Sequence, residues 1–553
     1  MGKGSAKNRI PCITVSILLT GSCFAFYKLT GALYGLQLDN YYIGMVTASL
    51  FDQNNWCCYI NPVLCWVIKQ LNTLYDGADW FSVLTQMNVF AGAVWFFYCV
   101  LQNKKTTVTH KILLSLWMLF TLIKVSVWNE NFTVQSAFFS FIGYTTLFYK
   151  NKNVRGKGVI ALYFVVLGIC WRVESALLFV PFAILKAACR RMRKQSDPEY
   201  EDAFHYKTAV VIAVVLLFIG IHYGVKYIPS NLDSTRYNNA RTTLEDYPTL
   251  KWENLPEQAV FQEVDYQAAK KWYLLDTEVL STETLEYMAA LGRRTWNYYE
   301  MLYYAYTFLG LIMDWNGCTV FMTLWLFYIF IKAWLTRKDR IVRTELVLDV
   351  LGGFVIWLYL IKMGRAPLRV VDSLGYAVFF AVMSELWEGD SQNRRILWKV
   401  TNSAYALMLA CVLISTVAHS ERIQTQWALK SNTDQEIIRT DLPVNGDTLY
   451  IWTGFTFGQD YMFGGKLIPS EIFRHHISDG DWTYGQPYHN AFLRSINAEN
   501  PAASLLTREN TFLVSENSDF LLQFMSAHYG EDIRLIRDGE LLGIPVWRLN
   551  QGE

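Results

Sequence analysis

Residues 158–194 read GVIALYFVVLGICWRVESALLFVPFAILKAACRRMRK. Two apolar runs, near 158–172 and 174–189, are parted only by the turn Trp171-Arg172-Val173-Glu174-Ser175. Both flanks are basic, with Lys150, Lys152, Arg155 and Lys157 before the stretch and Arg190, Arg191, Arg193 and Lys194 closing it. Basic clusters mark the cytoplasmic side of a membrane segment. The stretch therefore reads as two spans that leave and re-enter the cytoplasm, with Arg172 and Glu174 at the outer turn.

The same pattern continues outward in both directions. Further spans are expected near 11–28, 84–102, 112–128, 133–149, 208–227, 316–336, 344–361, 370–387 and 397–417. The fold class is a polytopic α-helical membrane protein of about eleven spans, most of them near the roughly 17–25 residues that a hydrocarbon core demands. Two more apolar stretches, 57–75 and 300–314, are aromatic-rich and amphipathic. Further basic clusters stand at Lys104-Lys105, Arg337-Lys338-Arg340 and Arg394-Arg395, and if both stretches crossed, several of the clusters would fall outside. Laid along the outer face they put every cluster, and the basic N-terminus, inside.

Composition agrees. Of 553 residues 52% are hydrophobic and only 18% charged, against about 25% charged in soluble domains. The net charge of +1 implies no nucleic-acid partner. The ten cysteines lie in or beside apolar runs and form no CxxC pair, so they read as buried free thiols rather than as a disulfide framework or metal site. Residues 11–27 after Lys3, Lys7 and Arg9 imitate a signal peptide, and Leu19–Cys23 approaches a lipoprotein box. An uncleaved first helix is expected instead. No short-period repeat points to a solenoid.

Two domains follow: a membrane module over 1–417 with long outer loops at 29–83 and 228–299, and an extracytoplasmic α/β domain over 418–553. In the second, strands are expected at Thr448–Trp452, Thr511–Val514 and Val546–Leu549 and a helix at Phe520–His528. His475-His476 reads as a pair of surface histidines.

Ionisable residues are costly at membrane depth and tend to be functional. Here they collect at the outer ends of the spans. Asp39 lies in Gln37-Leu38-Asp39-Asn40-Tyr41-Tyr42 and Asp52 shortly after it. Glu130 stands between Asn129 and Asn131, with Lys124 a turn inside. Arg172 and Glu174 form the short turn above. Lys362, Arg365 and Arg369 share the run Lys362–Arg369, and Arg236, Arg241 and Asp246 sit in the second outer loop. Plainer roles stand beside each: a helix cap for Asp39, a structural ion pair for Arg172 and Glu174, a solvated loop acid for Glu130, headgroup contacts for Arg365 and Arg369, a snorkelling Lys124. Together they offer a carboxylate that could take a proton from a sugar hydroxyl and arginines that could hold a phosphate bidentately.

An acid shortly after the first span, in a long outer loop, resembles the GT-C superfamily of polyprenyl-phosphate-sugar-dependent glycosyltransferases. The run Asn61-Pro62-Val63-Leu64-Cys65-Trp66 resembles the proline-leucine-tryptophan segment of that family's interfacial helix. The resemblance implies inverting transfer of a sugar from a lipid-linked donor to a glycan or lipid acceptor, at the outer face of a bacterial cell membrane and in contact with membrane lipids. It implies Asp39 as the base. Arg365 and Arg369, with Lys362 and Arg172, would bind the donor phosphate, and Asn40, Asp52, Glu130, Glu174 and Arg241 would support them. Many members carry two adjacent acids where this chain has Asp39-Asn40. A divalent metal is therefore left open as a cofactor, and no metal ligands are assigned. The alternative is a transporter, flippase or polymerase of envelope polysaccharide assembly; the absence of an inverted repeat and the peripheral charges weigh against it.

Overall fold

A computed structural model describes residues 9–29, 38–48, 56–102, 131–149, 156–196, 205–246, 261–291, 340–363, 367–386, 442–453, 470–478, 486–516 and 518–551, with a few isolated positions. Apart from such positions, the expected spans at 112–128, 316–336 and 397–417 and the stretch 300–314 lie outside the described residues, as do Lys124, Asp52, Glu130 and Arg365.

The first part is helical: α1 (Arg9–Leu29), α2 (Leu38–Thr47), α3 (Pro62–Leu74), α4 (Trp80–Gln102), α5 (Phe132–Leu147), α6 (Lys157–Trp171), α7 (Val173–Leu177), α8 (Val180–Ser196), α9 (His205–Lys226), α10 (Pro229–Asp246), α11 (Glu263–Lys270), α12 (Thr282–Leu291), α13 (Arg340–Met363) and α14 (Leu368–Leu386). Three of these, Trp80–Gln102, Ala209–Lys226 and Arg340–Met363, are long and apolar enough to cross a membrane, and Pro11–Ala25 and Lys157–Trp171 are shorter apolar helices. The single span expected over 174–189 is instead two helices. Pro181 cannot bond back to Leu177, so the chain turns at Leu178-Phe179 and restarts as α8.

The bundle is built around α5, whose residues are buried from Phe132 through Thr146. On one side α5 meets α6 closely. A Cβ on Gly143 would lie 2.6 Å from the Val165 nitrogen, and the Ser136 hydroxyl donates to Gly168 O at 2.7 Å. Small residues permit such approach where lipid offers no competing driving force. On the other side α14 packs its aromatic face against α5, with Phe138 on Tyr376, Phe141 on Phe379 and Tyr144 on Phe380. At the C-terminal end of α5 the Arg190 guanidinium donates to Phe148 O at 2.8 Å and lies over the Phe148 ring at 4.8 Å, a cation where the helix dipole favours one.

That end of the bundle holds a group not foreseen from the sequence. Lys186 of α8 reaches Glu345 at 2.8 Å and Asp349 at 3.2 Å on α13, and Arg193 also pairs with Glu345. The side chains of Lys186, Glu345 and Asp349 are at most 1% exposed. Charges in this chain are therefore not confined to the Asp39 end of the helices.

The described C-terminal residues form β1 (Leu449–Trp452), α15 (Ser470–His475), β2 (His476–Ser478), α16 (Pro487–Ser495), α17 (Pro501–Thr507), β3 (Thr511–Val514), α18 (Asp519–Tyr529), β4 (Ile533–Leu541) and β5 (Ile544–Gln551). Their five-stranded sheet has the order β2-β1-β3-β5-β4, parallel through β3 and antiparallel beyond. The three expected strands and the expected helix coincide with β1, β3, β5 and α18 to within a few residues. Of the histidine pair, His475 is partly exposed but His476 is not on the surface. His476 is fully buried, accepts from Trp452 Nε1 at 3.1 Å and faces Pro443 O at 3.0 Å, while His475 lies 2.8 Å from Thr448 O.

Two predictions follow from buried charge. Lys186→Met takes from Asp349 its Lys186 partner and leaves Glu345 with Arg193, and is expected to cost ~3–5 kcal/mol, read as a lowered thermal midpoint in lipid nanodiscs. Adding Glu345→Gln should recover part of that loss, because the two sites share one network. Burial pushes His476 down to about 4 and His489 to about 3 from an ordinary 6.5. The unfolded chain thus binds these protons first as pH falls. Their contribution to stability is fully present above pH ~6.5 and is lost progressively toward pH ~4, on the order of 3 kcal/mol for His476. Thermal melts from pH 7.5 to 4.5 check the sign: a C-terminal transition indifferent to pH would contradict it.

Candidate active site

The backbone at the start of α5 explains how the site assembles. A helix start leaves four N–H groups without intrahelical partners, and here they are buried. Asn131 is the N-cap and accepts from Thr133 N at 2.8 Å. Asn40 supplies the next partner from another element: its Oδ1 accepts from Phe132 N at 2.9 Å, and its amide donates to Gln135 Oε1 at 3.3 Å. Asn40 lies in the first turn of α2, so capping α5 fixes α2. Gly44 settles the other side of α2, where a Cβ would stand 2.7 Å from a carboxylate oxygen of Asp79.

Docked in this way, α2 presents Asp39. Its Oδ2 accepts from Asn131 Nδ2 at 3.3 Å and from Arg369 Nη1 at 3.4 Å. Both side chains are partly accessible, Asp39 at 24% and Arg369 at 34%. Arg369 occupies the first turn of α14, where a cation opposes the helix dipole, and the carboxylate of Asp39 offsets that conflict. Ser373 ties this turn to α5 by donating to Arg369 O at 2.8 Å and to Thr133 O at 3.3 Å. The N-termini of α2, α5 and α14 therefore converge on one carboxylate–guanidinium pair.

Arg172 joins the same helix start. Its Nη1 donates to Thr133 Oγ1 at 2.9 Å, its guanidinium lies 4.8 Å from the Phe132 ring centroid and 5.9 Å from that of Tyr59, and Glu174 pairs with it at 3.6 Å. Arg241 of α10 also meets Tyr59, donating to the phenol oxygen at 2.9 Å and to Asn238 at 3.0 Å. The phenol in turn donates to Asn238 Oδ1 at 3.0 Å. Burial pushes the Tyr59 hydroxyl well above its ordinary 10, with Arg241 opposing, so it stays a neutral donor.

The structure thus gathers Asp39, Asn40, Arg172, Glu174 and Arg369, with Arg241 joined through Tyr59. Lys362 is exposed in the last turn of α13 and is not brought to the Asp39 carboxylate, whose partners are Asn131 and Arg369. Reading the sequence missed Tyr59, Thr133 and Asn238. The only local signal near them was Asn61-Pro62, an N-cap and a first-turn proline that start α3 immediately after Tyr59. Asn131-Phe132-Thr133 has the form of a glycosylation acceptor, but Asn131 is fully buried as a cap. Among the described residues the hydrogen-bond partners of Asp39 are a guanidinium and an amide donor, neither of them a metal ligand, and Asn40 is turned to α5. Among the described residues no group of three or more His, Cys, Asp or Glu is placed to hold a metal ion.

No family model matches the sequence, and no curated protein matches it. Among solved structures the chain is similar to ArnT from Cupriavidus metallidurans in the apo state, at 10% identity, covering 97% of this chain and 98% of that one with a TM-score of 0.41.

Asn40→Ala strips partners from both Phe132 N–H and Gln135. It is expected to lower stability by ~1–3 kcal/mol, measurable as a fall in the thermal midpoint, together with weakened Asp39–Arg369 coupling in a double-mutant cycle.

Proposed function

We propose that this chain transfers a sugar from a polyprenyl-phosphate-linked donor to a glycan or lipid acceptor at the outer face of a cell membrane, with Asp39 as general base. The observation that carries the reading is the meeting of Asp39 with Arg369 where three helix N-termini converge, with Arg172 held on the same helix start. Helix N-termini and arginines both favour an anion of phosphate type. A lipid-linked donor keeps its tail among the apolar helices and its phosphate at their ends.

In this reading Arg369 changes partner. In the resting protein it neutralises Asp39; when the donor phosphate arrives it turns to the phosphate oxygens, which Arg172 also draws, and Lys362 and Arg365 extend the clamp along the link between α13 and α14. Asp39 is thereby released. Among the described residues its contacts fall on Oδ2, and Oδ1 is the oxygen offered to the acceptor hydroxyl. The acceptor oxygen attacks the anomeric carbon from the face opposite the phosphate. The bond from that carbon to the phosphate oxygen breaks, its electron pair leaves with the lipid phosphate, and the hydroxyl proton passes to Asp39. Configuration inverts. Asn40 keeps α2 in place, Glu174 steadies Arg172 and Arg241 steadies Tyr59. Asp52 and Glu130 are the reserve candidates for the base.

A second reading, a transporter, flippase or polymerase of envelope polysaccharide assembly, is favoured by one observation. Lys186, Arg193, Glu345 and Asp349 lie buried within the helices, where ionisable groups often line a path for ions or substrate.

The deciding measurement is sugar transfer from a panel of polyprenyl-phosphate sugars by purified protein in lipid. Asp39→Asn is expected to lower transfer by about 10²-fold or more while donor binding persists. Full activity in that variant would reject Asp39 as base. Loss of lipid-linked substrate translocation in Lys186→Met, with no transfer from any donor by the parent protein, would favour the second reading.

A further inference from the structure

The segment Lys271–Asp276, between α11 and α12, links the C-terminal sheet to the Arg241–Tyr59 pair. The α11 helix ends in a Schellman turn: Tyr273 N bonds to Ala268 O at 3.0 Å and Trp272 N to Ala269 O at 3.4 Å. The position after the cap in such a turn is left-handed, and glycine usually fills it. This chain has Trp272 there, with φ of +66°. A bulky residue in that conformation is strained and persists only where its surroundings over-determine it.

Those surroundings come from two sides. From the C-terminal part, Gly480 packs directly against the Trp272 carbonyl, leaving no room for a Cβ. Lys271 lies 4.0 Å from the Phe520 ring centroid and Tyr273 packs on the same ring at 5.0 Å. Ala502 N donates to Leu275 O at 3.3 Å, and Asp276 accepts from Tyr529 at 2.6 Å and from Asn500 at 3.0 Å. Nearby, His528 Nε2 lies 2.5 Å from Asp265 in the first turn of α11. From the helical part, Lys270 donates to Leu244 O at 2.6 Å, and the Trp272 ring covers the Arg241 guanidinium at 4.6 Å. Arg241 bonds to the Tyr59 phenol, and the Tyr59 ring stands against Arg172.

We infer that Trp272 is a positioning residue: clamped by the C-terminal sheet unit, its ring fixes Arg241 and, through it, the Tyr59–Arg172 wall of the site. The C-terminal unit thus sets the geometry of the site from outside the helical bundle. Glycine would relieve the backbone at position 272, so tryptophan there is accounted for by what its ring holds. The inference rests on the transferase reading for its activity readout only.

The test uses the full chain in lipid nanodiscs, with hydrogen exchange read over residues 56–61, 236–246 and 271–281. Trp272→Gly removes the ring and the strain together, and is expected to raise exchange over both 56–61 and 236–246 by about tenfold, with Trp272→Phe close to the parent. A rise confined to 261–291, or an equal rise in the phenylalanine variant, would overturn the inference. Tyr529→Phe leaves the ring in place and removes only the bond to Asp276. It should raise exchange over 271–281 and, more weakly, over 236–246; silence at 236–246 would refute the link to the C-terminal unit. Sugar transfer should fall by about tenfold in Trp272→Gly and return to within about threefold in Trp272→Phe. If the parent transfers no sugar, the transferase reading fails while the exchange pattern still decides the positioning inference.

Discussion

The backbone N–H of Phe132 lies at the buried start of α5, where no water can satisfy it, and the Asn40 side chain does so from a different helix. That hydrogen bond is the constraint from which the site follows. A buried N–H without a partner costs a large fraction of a protein's net stability, so α2 must dock with Asn40 facing α5. Asp39, the preceding residue, then has little choice of direction and meets Asn131 and Arg369. Asn40 thus has a structural part, joining α2 to the start of α5. It offers both an acceptor and a donor, matching Phe132 N–H and Gln135 Oε1 as a carboxylate could not.

The helix α5 is held at both ends by contacts that follow its dipole. At its start lie asparagine oxygens and, nearby, Asp39; at its end lies the Arg190 guanidinium. Between them the helix is buried all round, so its register against α6 and α14 is set by packing of small residues on one side and aromatic rings on the other. Past the end of α5 the Lys186–Glu345–Asp349–Arg193 group joins α8 to α13. Burying an ion group of this kind adds little net stability, but breaking it is expensive. A shift of α13 along α8 would break these pairs, so they oppose any other register. Because α13 leads directly into α14, that register also limits where Arg369 can stand.

Much of the architecture was legible in the sequence because it rests on local patterns. The helical hairpin over 158–194, the amphipathic helix after Asn61-Pro62 and the strands at 449–452, 511–514 and 544–551 each follow from hydropathy period, caps or turn residues. The site was legible only in part. Asp39, Arg172, Arg369 and Arg241 could be picked out because charge is conspicuous in an apolar chain. Tyr59 could not, since an aromatic residue at a helix entrance looks the same whether it lies in lipid or bonds to a guanidinium. Glu345, Asp349 and Lys186 were passed over for a related reason: each sits in a run apolar enough to absorb it, and their pairing spans about 160 residues of sequence. The break at Leu178-Phe179 was signalled by Pro181, but the strength of the apolar run concealed it. His475-His476 misled because two polar residues in sequence suggest a surface, whereas a buried imidazole can satisfy both nitrogens at once, as His476 does with Trp452 and Pro443.

Two residues of this chain stand where local preference alone would not place them. Arg369 puts a cation in the first turn of a helix, and Trp272 puts a large side chain in a left-handed turn. Each is balanced by a contact distant in sequence, Arg369 by Asp39 and Trp272 by Arg241 and the C-terminal unit. Conflicts of this kind concentrate where a protein does more than fold, since a purely structural position would relax to the residue its backbone prefers. One meets the Asp39 carboxylate and the other reaches Arg172 by way of Arg241 and Tyr59. In the proposed reading a phosphate would relieve the first conflict by giving Arg369 a second partner, while Trp272 keeps Arg241 and Tyr59 in place. In the proposed reading the Arg369 guanidinium exchanges partners while that of Arg172 stays held by Thr133 and Glu174. Holding a phosphate while releasing the carboxylate beside it would call for that division.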